Sequence, residues 1–257
     1  MWYVPLTGQR IHEFISSGMS FTSPSSGPPT NSIMFIMPKL VTALLVRNEA
    51  DKYLEQVLTR CLEFSDSVLV LDDNSTDGSD RLAWRLGCEV QRWTGATMWG
   101  TESPARAALW DWGAQEAKDG WLLICDADMI LHGDPRPLTL TKQYNSWALV
   151  LYDMWDGPHY RCDSFWRGHE FPRPWMFKPS AIGLEAPIWP DRGIHTGHAP
   201  MNFPLRTGVL DNRLYYYIHG AYWTPELRAQ KHQQYMAKSD QLSSFETAHA
   251  NSILDAA

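Results

Sequence analysis

This sequence lacks the features that are typical of a disulfide-stabilised, a membrane-spanning or a general nucleic-acid-binding protein. Its four cysteines in 257 residues are far apart and include no Cys-x-x-Cys pair, so we expect reduced thiols rather than disulfides or a cysteine zinc site. No apolar run approaches 18 residues, so no membrane span is expected. The net charge of -7 argues against general affinity for nucleic acid, although a local basic groove stays open.

The remaining composition is that of a soluble globular protein, with 44% apolar and 20% charged residues. We predict a flexible arm over residues 1–38, because residues 16–32 are rich in Ser, Gly, Pro and Thr. The arm lacks the basic start and apolar run of a signal peptide, and with the free thiols this predicts a cytoplasmic protein. Residues 39–257 are expected to form the functional domain.

From residue 39 the hydrophobic pattern alternates between strand-length apolar runs and amphipathic helices. Predicted strands cover residues 40–46, 67–71, 89–93 and 121–125, and predicted helices cover residues 49–64, 75–86 and 103–118. Four such alternations in under 90 residues indicate an α/β fold with a mostly parallel central sheet. Further strands are predicted at 147–151, 175–178 and 214–218, and helices at 224–237 and 243–254; residues 153–208 are otherwise irregular.

The most informative stretch is the apolar run at residues 121–125, which leads directly into Asp126-Ala127-Asp128. In open α/β sheets, ligands bind beyond the carboxyl ends of the strands. Two aspartates one residue apart at that position can share a hard divalent cation, which takes oxygen ligands from protein and from substrate phosphates. No Gly-x-Gly-x-x-Gly or Walker A motif follows the first strands, which disfavours a dinucleotide or P-loop site.

Four motifs in order extend this hypothesis. The first strand ends in Arg47-Asn48-Glu49, the second in Asp72-Asp73-Asn74-Ser75-Thr76-Asp77-Gly78, and Ala105-Arg106 precedes the Asp-x-Asp strand. His219-Gly220-Ala221-Tyr222 then precedes a helix with Arg228 and Lys231. In these motifs the chain resembles the family 2 glycosyltransferases, and more narrowly a soluble bacterial or phage-type subgroup. The resemblance covers residues 40–237 and is strongest over 40–130 and 215–236.

The resemblance implies a GT-A-like fold, with a nucleotide-sugar-binding half at residues 39–130 and an acceptor-side half with C-terminal helices at 131–257. It also implies a Mn²⁺ or Mg²⁺ cofactor, a nucleotide-sugar donor carrying UDP, and inversion at the anomeric carbon. The implied metal ligands are Asp126, Asp128 and His219. The donor-binding residues expected are Val46, Asn48, Glu49, Asp72, Arg106, Asp126, Ala127, Arg228 and Lys231.

The general base is expected from residues 153–198, because it must reach the acceptor hydroxyl. The subgroup has a His-Glu pair after a Trp-containing strand, whereas the corresponding stretch here reads Ile194-His195-Thr196. That departure removes the expected carboxylate. We predict Asp191 as the base, with His195 or His198 as substitutes.

Two other functions compete with this interpretation. A nucleotidyltransferase also uses a parallel sheet, paired aspartates and a metal, but the stretch Arg47-Asn48-Glu49-Ala50 lacks the glycines of a triphosphate loop. A non-catalytic nucleotide-sugar-binding module is the other alternative.

The acceptor stays open among a saccharide, which we favour, a lipid head group, a protein side chain and a modified nucleic-acid base. The irregular segment interleaves basic and aromatic side chains, an arrangement that suits a stackable anionic acceptor. These residues are Arg161, Arg167, Arg173, Lys178 and Arg192 with Trp155, Trp166, Trp175 and Trp189. We favour the alternative, a solvated loop wall with structural tryptophans.

Overall fold

The computed structural model describes residues 2–5, 37–97, 102–183, 186–190, 196–237 and 242–254, with backbone only for 2–5. The strands are β1 (Trp2–Pro5), β2 (Leu40–Val46), β3 (Ser67–Asp72), β4 (Glu89–Arg92), β5 (Trp121–Asp126), β6 (Met129–His132), β7 (Ser146–Asp156), β8 (His159–Cys162), β9 (Arg173–Phe177), β10 (Thr207–Val209) and β11 (Tyr216–His219). The helices are α1 (Leu54–Phe64), α2 (Ser79–Leu86), α3 (Glu102–Ala117), α4 (Pro225–Met236) and α5 (Ser244–Ser252). Two short 3₁₀ turns, Arg136–Leu140 and Pro179–Ile182, lie in the connections.

One sheet organises these elements, in the order β1-β8-β7-β9-β5-β2-β3-β4. Strands β4, β3, β2 and β5 are parallel neighbours, as the alternating sequence pattern predicts. Strand β9 runs antiparallel between β5 and β7, and β11 joins β7 in parallel while pairing antiparallel with β6. The predicted GT-A-like α/β class, with a parallel first half and a less regular second half, is confirmed by this topology.

The central parallel strands β2, β3 and β5 are buried on both faces, which explains why their sequences are largely apolar. In β2, Leu40 and Leu44 pack with α1, whereas the alternate residues Val41, Ala43 and Leu45 pack with α3 on the opposite face. All seven residues of β2 are buried. Strand β2 is therefore the centre of the core, and its carboxyl end lies beside those of β3 and β5.

Two predicted helices begin later than expected because polar side chains hold their first residues in loops. Asn48 adopts a left-handed φ of 53° and its side chain accepts a hydrogen bond from Thr76 N at 2.8 Å. Asp77 accepts hydrogen bonds from the backbone and hydroxyl of Ser79. These contacts connect the loops after β2 and β3, so α1 starts at Leu54 and α2 at Ser79.

Most of the predicted flexible arm lies outside the described residues, but residues 2–5 form β1, which pairs antiparallel with β8. This edge strand is absent from the sequence-based prediction. All four cysteines lie in the described residues, and none of them forms a disulfide. Among the helices in the described ranges, none is long and apolar enough to cross a bilayer.

Candidate functional site

The carboxyl end of β5 carries the predicted aspartates. Asp126 is the last residue of β5, and Asp128 lies in the turn that leads into β6. Because β6 pairs antiparallel with β11, His219 lies opposite Met129, and Gly220 N donates to the Asp128 carbonyl at 2.8 Å. The pairing brings His219 Nε2 to 3.5 Å from Asp128 Oδ1. Two residues 91 positions apart in the chain are thus brought together, as the resemblance implied.

A second carboxylate orients His219. Strand β11 also pairs in parallel with β7, which places His219 in register with Asp153. His219 Nδ1 lies 2.7 Å from Asp153 Oδ1, in a buried hydrogen bond. Burial lowers the pKa of His219, but the Asp128 and Asp153 carboxylates outweigh burial and raise it to about 9. The ring is therefore held between two carboxylates, with Nε2 facing Asp128.

A small cleft opens beside Asp128 and is lined by Glu49, Lys52, Tyr53 and Lys231, among others. Lys231 Nζ lies 3.5 Å from Asp128 Oδ2. Burial raises the pKa of Asp128, but the charges of Lys231 and His219 outweigh it and hold that pKa below its usual range. This end of the cleft combines a firmly ionised carboxylate with a cation that can reach an anionic ligand.

Glu49 forms the opposite wall of the cleft. Its Oε1 accepts a hydrogen bond from Lys52 Nζ at 3.0 Å, while its buried Oε2 has no hydrogen-bond partner among the described residues. Burial, and then repulsion from Asp128, raises the pKa of Glu49. A buried polar atom left unsatisfied in this way is a natural contact point for a ligand.

Asp126 has a different set of partners from Asp128. Arg106 Nη2 donates to Asp126 Oδ1 at 2.7 Å, and His198 Nε2 lies 3.4 Å from Asp126 Oδ2. Burial raises the pKa of Asp126, but Arg106 and His198 outweigh it and hold it well below its usual range. Arg106 also donates to Glu102 Oε1 at 2.8 Å, so its guanidinium is shared between two carboxylates.

The fit of a divalent cation can be judged from these contacts. No group of three or more His, Cys, Asp or Glu side chains converges as a metal cage within the described residues. Asp128 and His219 are adjacent, whereas Asp126 contacts Arg106 and His198; the set of Asp126, Asp128 and His219 as metal ligands stays a prediction. Metal-binding histidines commonly donate their other nitrogen to a carboxylate, which is what Asp153 provides for His219. The carboxylate and imidazole groups at this position fit a divalent cation.

The ends of β2 and β3, which were predicted to bind the donor base, lie side by side. Val46 is in register with Asp72, and the Val46 carbonyl accepts a hydrogen bond from Asp73 N at 2.8 Å. The fully buried Asp72 carboxylate accepts from Ser75 N at 3.1 Å and lies 3.9 Å from Arg92 Nε. Asp72 thus shapes the loop in this structure, and a role in binding the donor stays a prediction, as it does for Asn48 and the buried Ala127.

Arg228, another predicted donor-binding residue, contacts a different part of the structure. Arg228 donates to the carbonyls of Trp155 and Tyr222 and stacks its guanidinium on the Trp155 ring, 4.8 Å from the centroid. These contacts assign it a packing role, and donor binding by Arg228 stays a prediction. Asp191, the predicted base, and His195, one of its substitutes, lie outside the described residues.

Three of the four tryptophans interleaved with basic residues have a structural role, which is the interpretation favoured from the sequence. Trp155, Trp166 and Trp175 are all at most 2% exposed, and so is Arg161. These tryptophans fill the interior beneath the irregular segment, because each large ring can bury more apolar area there than on a surface. Arg167 and Arg173 are exposed, but the rings of Trp155, Trp166 and Trp175 are not available at the surface for stacking.

Sequence reasoning missed Glu102, which binds Arg106, and the contact of Asp153 with His219. Glu102 stands four residues before Arg106 on one helix, and that spacing favours an ion pair. The spacing could have been read from the sequence. The contact of Asp153 with His219 could not, because it depends on the register of β7 with β11.

The orienting role of Asp153 leads to a prediction. We expect Asp153→Asn to weaken Mn²⁺ binding by about 10- to 100-fold, because His219 loses the carboxylate that fixes its tautomer and orientation. Isothermal titration with Mn²⁺ measures the effect. The matched control is Asp156→Asn, at the exposed end of the same strand. Equal Mn²⁺ affinity in the wild-type and Asp153→Asn proteins would rule out this role.

Comparison with known proteins gives similarity to solved structures only. No protein-family model and no curated protein sequence matches this chain. A mannosyltransferase from Pyrobaculum calidifontis, in complex with GDP-mannose and Mn²⁺, is 16% identical with a TM-score of 0.49, over 86% of this chain and 70% of that one. Glucosyl-3-phosphoglycerate synthase from Mycobacterium tuberculosis, in complex with Mn²⁺, UDP and phosphoglyceric acid, is 17% identical with a TM-score of 0.41. The match spans 60% of each chain, and at these values the similarity does not assign an activity.

Proposed function

We propose that this protein is a metal-dependent inverting glycosyltransferase of the family 2 type, which transfers a sugar from a UDP-sugar to an acceptor hydroxyl. The observation that carries the proposal is the grouping of Asp128, His219 and Lys231 at the carboxyl end of β5, beside the cleft lined by Glu49. Such a grouping suits a diphosphate held jointly by a cation and a lysine, at the edge of the sheet where α/β folds bind ligands.

In this proposal Asp128 and His219 hold Mn²⁺ or Mg²⁺, and Asp153 keeps His219 in the orientation that binding requires. When bound, the cation neutralises charge that develops on the leaving diphosphate. Lys231 lies against the same carboxylate and is placed to contact a phosphate oxygen. Arg106, held on Asp126, adds a second fixed positive charge next to the pair of aspartates.

The donor nucleoside would lie across the ends of β2 and β3, where the two loops are tied together by Asn48, Ser75 and Thr76. Those hydrogen bonds make the surface rigid before a ligand arrives, which lowers the entropic cost of binding. Glu49, with its unsatisfied Oε2, links this surface to the cleft at Asp128.

The acceptor side supplies the base. A base removes the proton of the acceptor hydroxyl as the oxygen attacks the anomeric carbon, opposite the departing diphosphate, so one displacement inverts the configuration. Asp191 remains the proposed base. Among the described candidates, His198 lies beside the aspartates, with Nε2 3.4 Å from Asp126 Oδ2. The identity of the acceptor, with a saccharide favoured, and a cytoplasmic location remain parts of the proposal.

A thermal-shift screen of nucleotides and nucleotide sugars, with and without Mn²⁺, tests the proposal. A ligand at 100 times its Kd stabilises the native state by about 2.7 kcal/mol, which for a chain of this size raises Tm by about 5–10 °C. We expect that shift with UDP or a UDP-sugar only when Mn²⁺ is present.

The other outcomes each favour a different function. A shift with nucleoside triphosphates alone would favour a nucleotidyltransferase. A shift with a nucleotide sugar, but no release of UDP over a range of acceptors, would favour a non-catalytic binding module. If no nucleotide shifts Tm, the proposed function is wrong.

A further inference from the structure

The first turn of α3 connects the two halves of the candidate site through Glu102. This side chain is largely buried, and the residue is 8% exposed. One carboxylate oxygen, Oε1, accepts from Arg106 Nε at 2.8 Å. The other, Oε2, accepts from the backbone N–H of Thr196 at 3.2 Å. Glu102 therefore bridges the donor side and the segment that enters the acceptor side.

The chain that follows Thr196 returns to the same cluster. Two residues later, His198 Nε2 lies 3.4 Å from Asp126 Oδ2, and its ring packs on Trp175 with a centroid separation of 4.0 Å. Asp126 in turn accepts from Arg106 Nη2 at 2.7 Å. The contacts form a closed circuit that runs from Glu102 through Arg106, Asp126 and His198 to Thr196 and back to Glu102.

A second contact ties the same helix turn to the same part of the chain. The hydroxyl of Ser103 donates to the carbonyl of Pro190. Pro190 and Thr196 are therefore both bound by consecutive residues at the start of α3. Together, these two contacts fix Pro190 and Thr196 relative to the start of α3 more firmly than either contact would alone.

A role limited to helix stability does not account for this arrangement. An acidic residue in the first turn favours a helix without being buried, because its effect comes from the exposed end of the dipole. Burying a carboxylate is costly unless its oxygens are satisfied. Glu102 is buried, and its two oxygens contact residues from different parts of the site rather than free N–H groups of its own helix.

The geometry points to Glu102 as a positioning residue, which holds Arg106 on Asp126 and fixes the 196–198 segment so that His198 faces the aspartates. This role rests on the proposed function. It predicts that loss of Glu102 misaligns the acceptor side. The donor side stays in place, because Arg106 keeps its direct hydrogen bond to Asp126. Among the described residues, the ends of β2 and β3 and Asp128 have no hydrogen bond or ion pair with Glu102. Misplacement of reacting groups lowers turnover far more than it lowers donor binding.

The test uses Glu102→Gln, with Glu116→Gln as the matched control on the same helix. Glu116 pairs with Lys39 at a partly exposed site, outside the circuit. For Glu102→Gln we expect the amides of residues 196–198 to exchange with solvent at least about tenfold faster. For UDP release from a UDP-sugar we expect kcat to fall about 30- to 100-fold, with the KM for the donor changed by less than about threefold. The control is expected to match the wild-type protein in all three measurements.

Hydrogen exchange separates failure of this inference from failure of the proposed function. If the wild-type protein releases no UDP but residues 196–198 lose protection in Glu102→Gln, the activity is wrong and the positioning contact stands. Unchanged protection at 196–198, or faster exchange spread evenly over the whole chain, overturns the positioning role. Should the Gln variant fail to fold, Glu102→Asp retains the buried charge but shortens its reach by one methylene group, and the same local loss of protection is expected.

Discussion

Asp128→Asn is expected to remove metal-dependent turnover while the protein stays folded. The substitution keeps the size of the side chain but removes the charge that faces His219 at 3.5 Å and Lys231 at 3.5 Å. A cation held at this position is expected to bind much more weakly once the Asp128 carboxylate is gone, because hard divalent cations select anionic oxygen. We expect kcat/KM to fall by about 10³-fold or more, which corresponds to about 4 kcal/mol of transition-state stabilisation.

The measurement is UDP release in Mn²⁺, together with far-UV circular dichroism and Tm to establish folding. Asp119→Asn provides the matched control, because Asp119 is exposed and lies just before the opposite end of the same strand. Only Asp128→Asn should also lose the Mn²⁺-dependent part of the UDP thermal shift. Wild-type activity in Asp128→Asn would contradict the assignment of Asp128 and the metal-dependent mechanism.

The parts of this site that could be predicted from sequence are those encoded by local pattern. Strands β2 and β5 are apolar at consecutive positions because both faces are buried, and that pattern identifies a parallel sheet without further information. The bounds of β2 match the prediction at both ends. Helix ends with a characteristic capping residue could also be predicted from the sequence. Gly87 ends α2 in a left-handed conformation, and the Thr224 hydroxyl accepts a hydrogen bond from Leu227 N at the start of α4.

Pairings between distant segments could not be predicted, because sequence does not state strand register. His219 meets Asp153 only because β7 and β11 are parallel neighbours, and Glu102 meets Thr196 across 94 positions. Hydrogen bonds within a loop can also prevent a helix from forming where the sequence pattern allows one. Residues 75–78 have helix-compatible spacing, but Asp72 and Asp77 satisfy the loop N–H groups, so the helix starts only at Ser79.

The buried position of Arg161 among the tryptophans leads to a prediction about stability. Alternating Arg and Trp in sequence fits a surface and a core equally well, since an arginine can stack on indole rings in either place. Here the Arg161 guanidinium lies 4.4 Å from the Trp155 ring centroid and 5.1 Å from that of Trp166. Its Nε donates to Asp163 at 2.7 Å and its Nη1 to the Ser252 carbonyl, at the end of α5. Arg161 thus ties β8 to the C-terminal helix from inside the protein.

Arg161→Ala is therefore expected to be the most destabilising of the substitutions considered, lowering the free energy of unfolding by about 3–5 kcal/mol. The loss leaves Asp163 without its cation, leaves the Ser252 carbonyl without this donor, and opens a cavity between two indole rings. Urea unfolding followed by circular dichroism measures it. Arg167→Ala is the control, because Arg167 forms an exposed pair with Glu170 and such pairs contribute less than about 1 kcal/mol.

Arg161→Ala and Arg167→Ala also test whether Arg161 belongs to the core or to a binding surface. If Arg161 belonged to an anion-binding face, its removal would weaken binding of single-stranded nucleic acid and leave the urea midpoint unchanged. A side chain only 2% exposed cannot approach a phosphate without unfolding its surroundings, so we expect the reverse: a large loss of stability and no specific loss of binding. An unchanged urea midpoint for Arg161→Ala would contradict the buried position and would restore the stacking surface as a hypothesis for the acceptor.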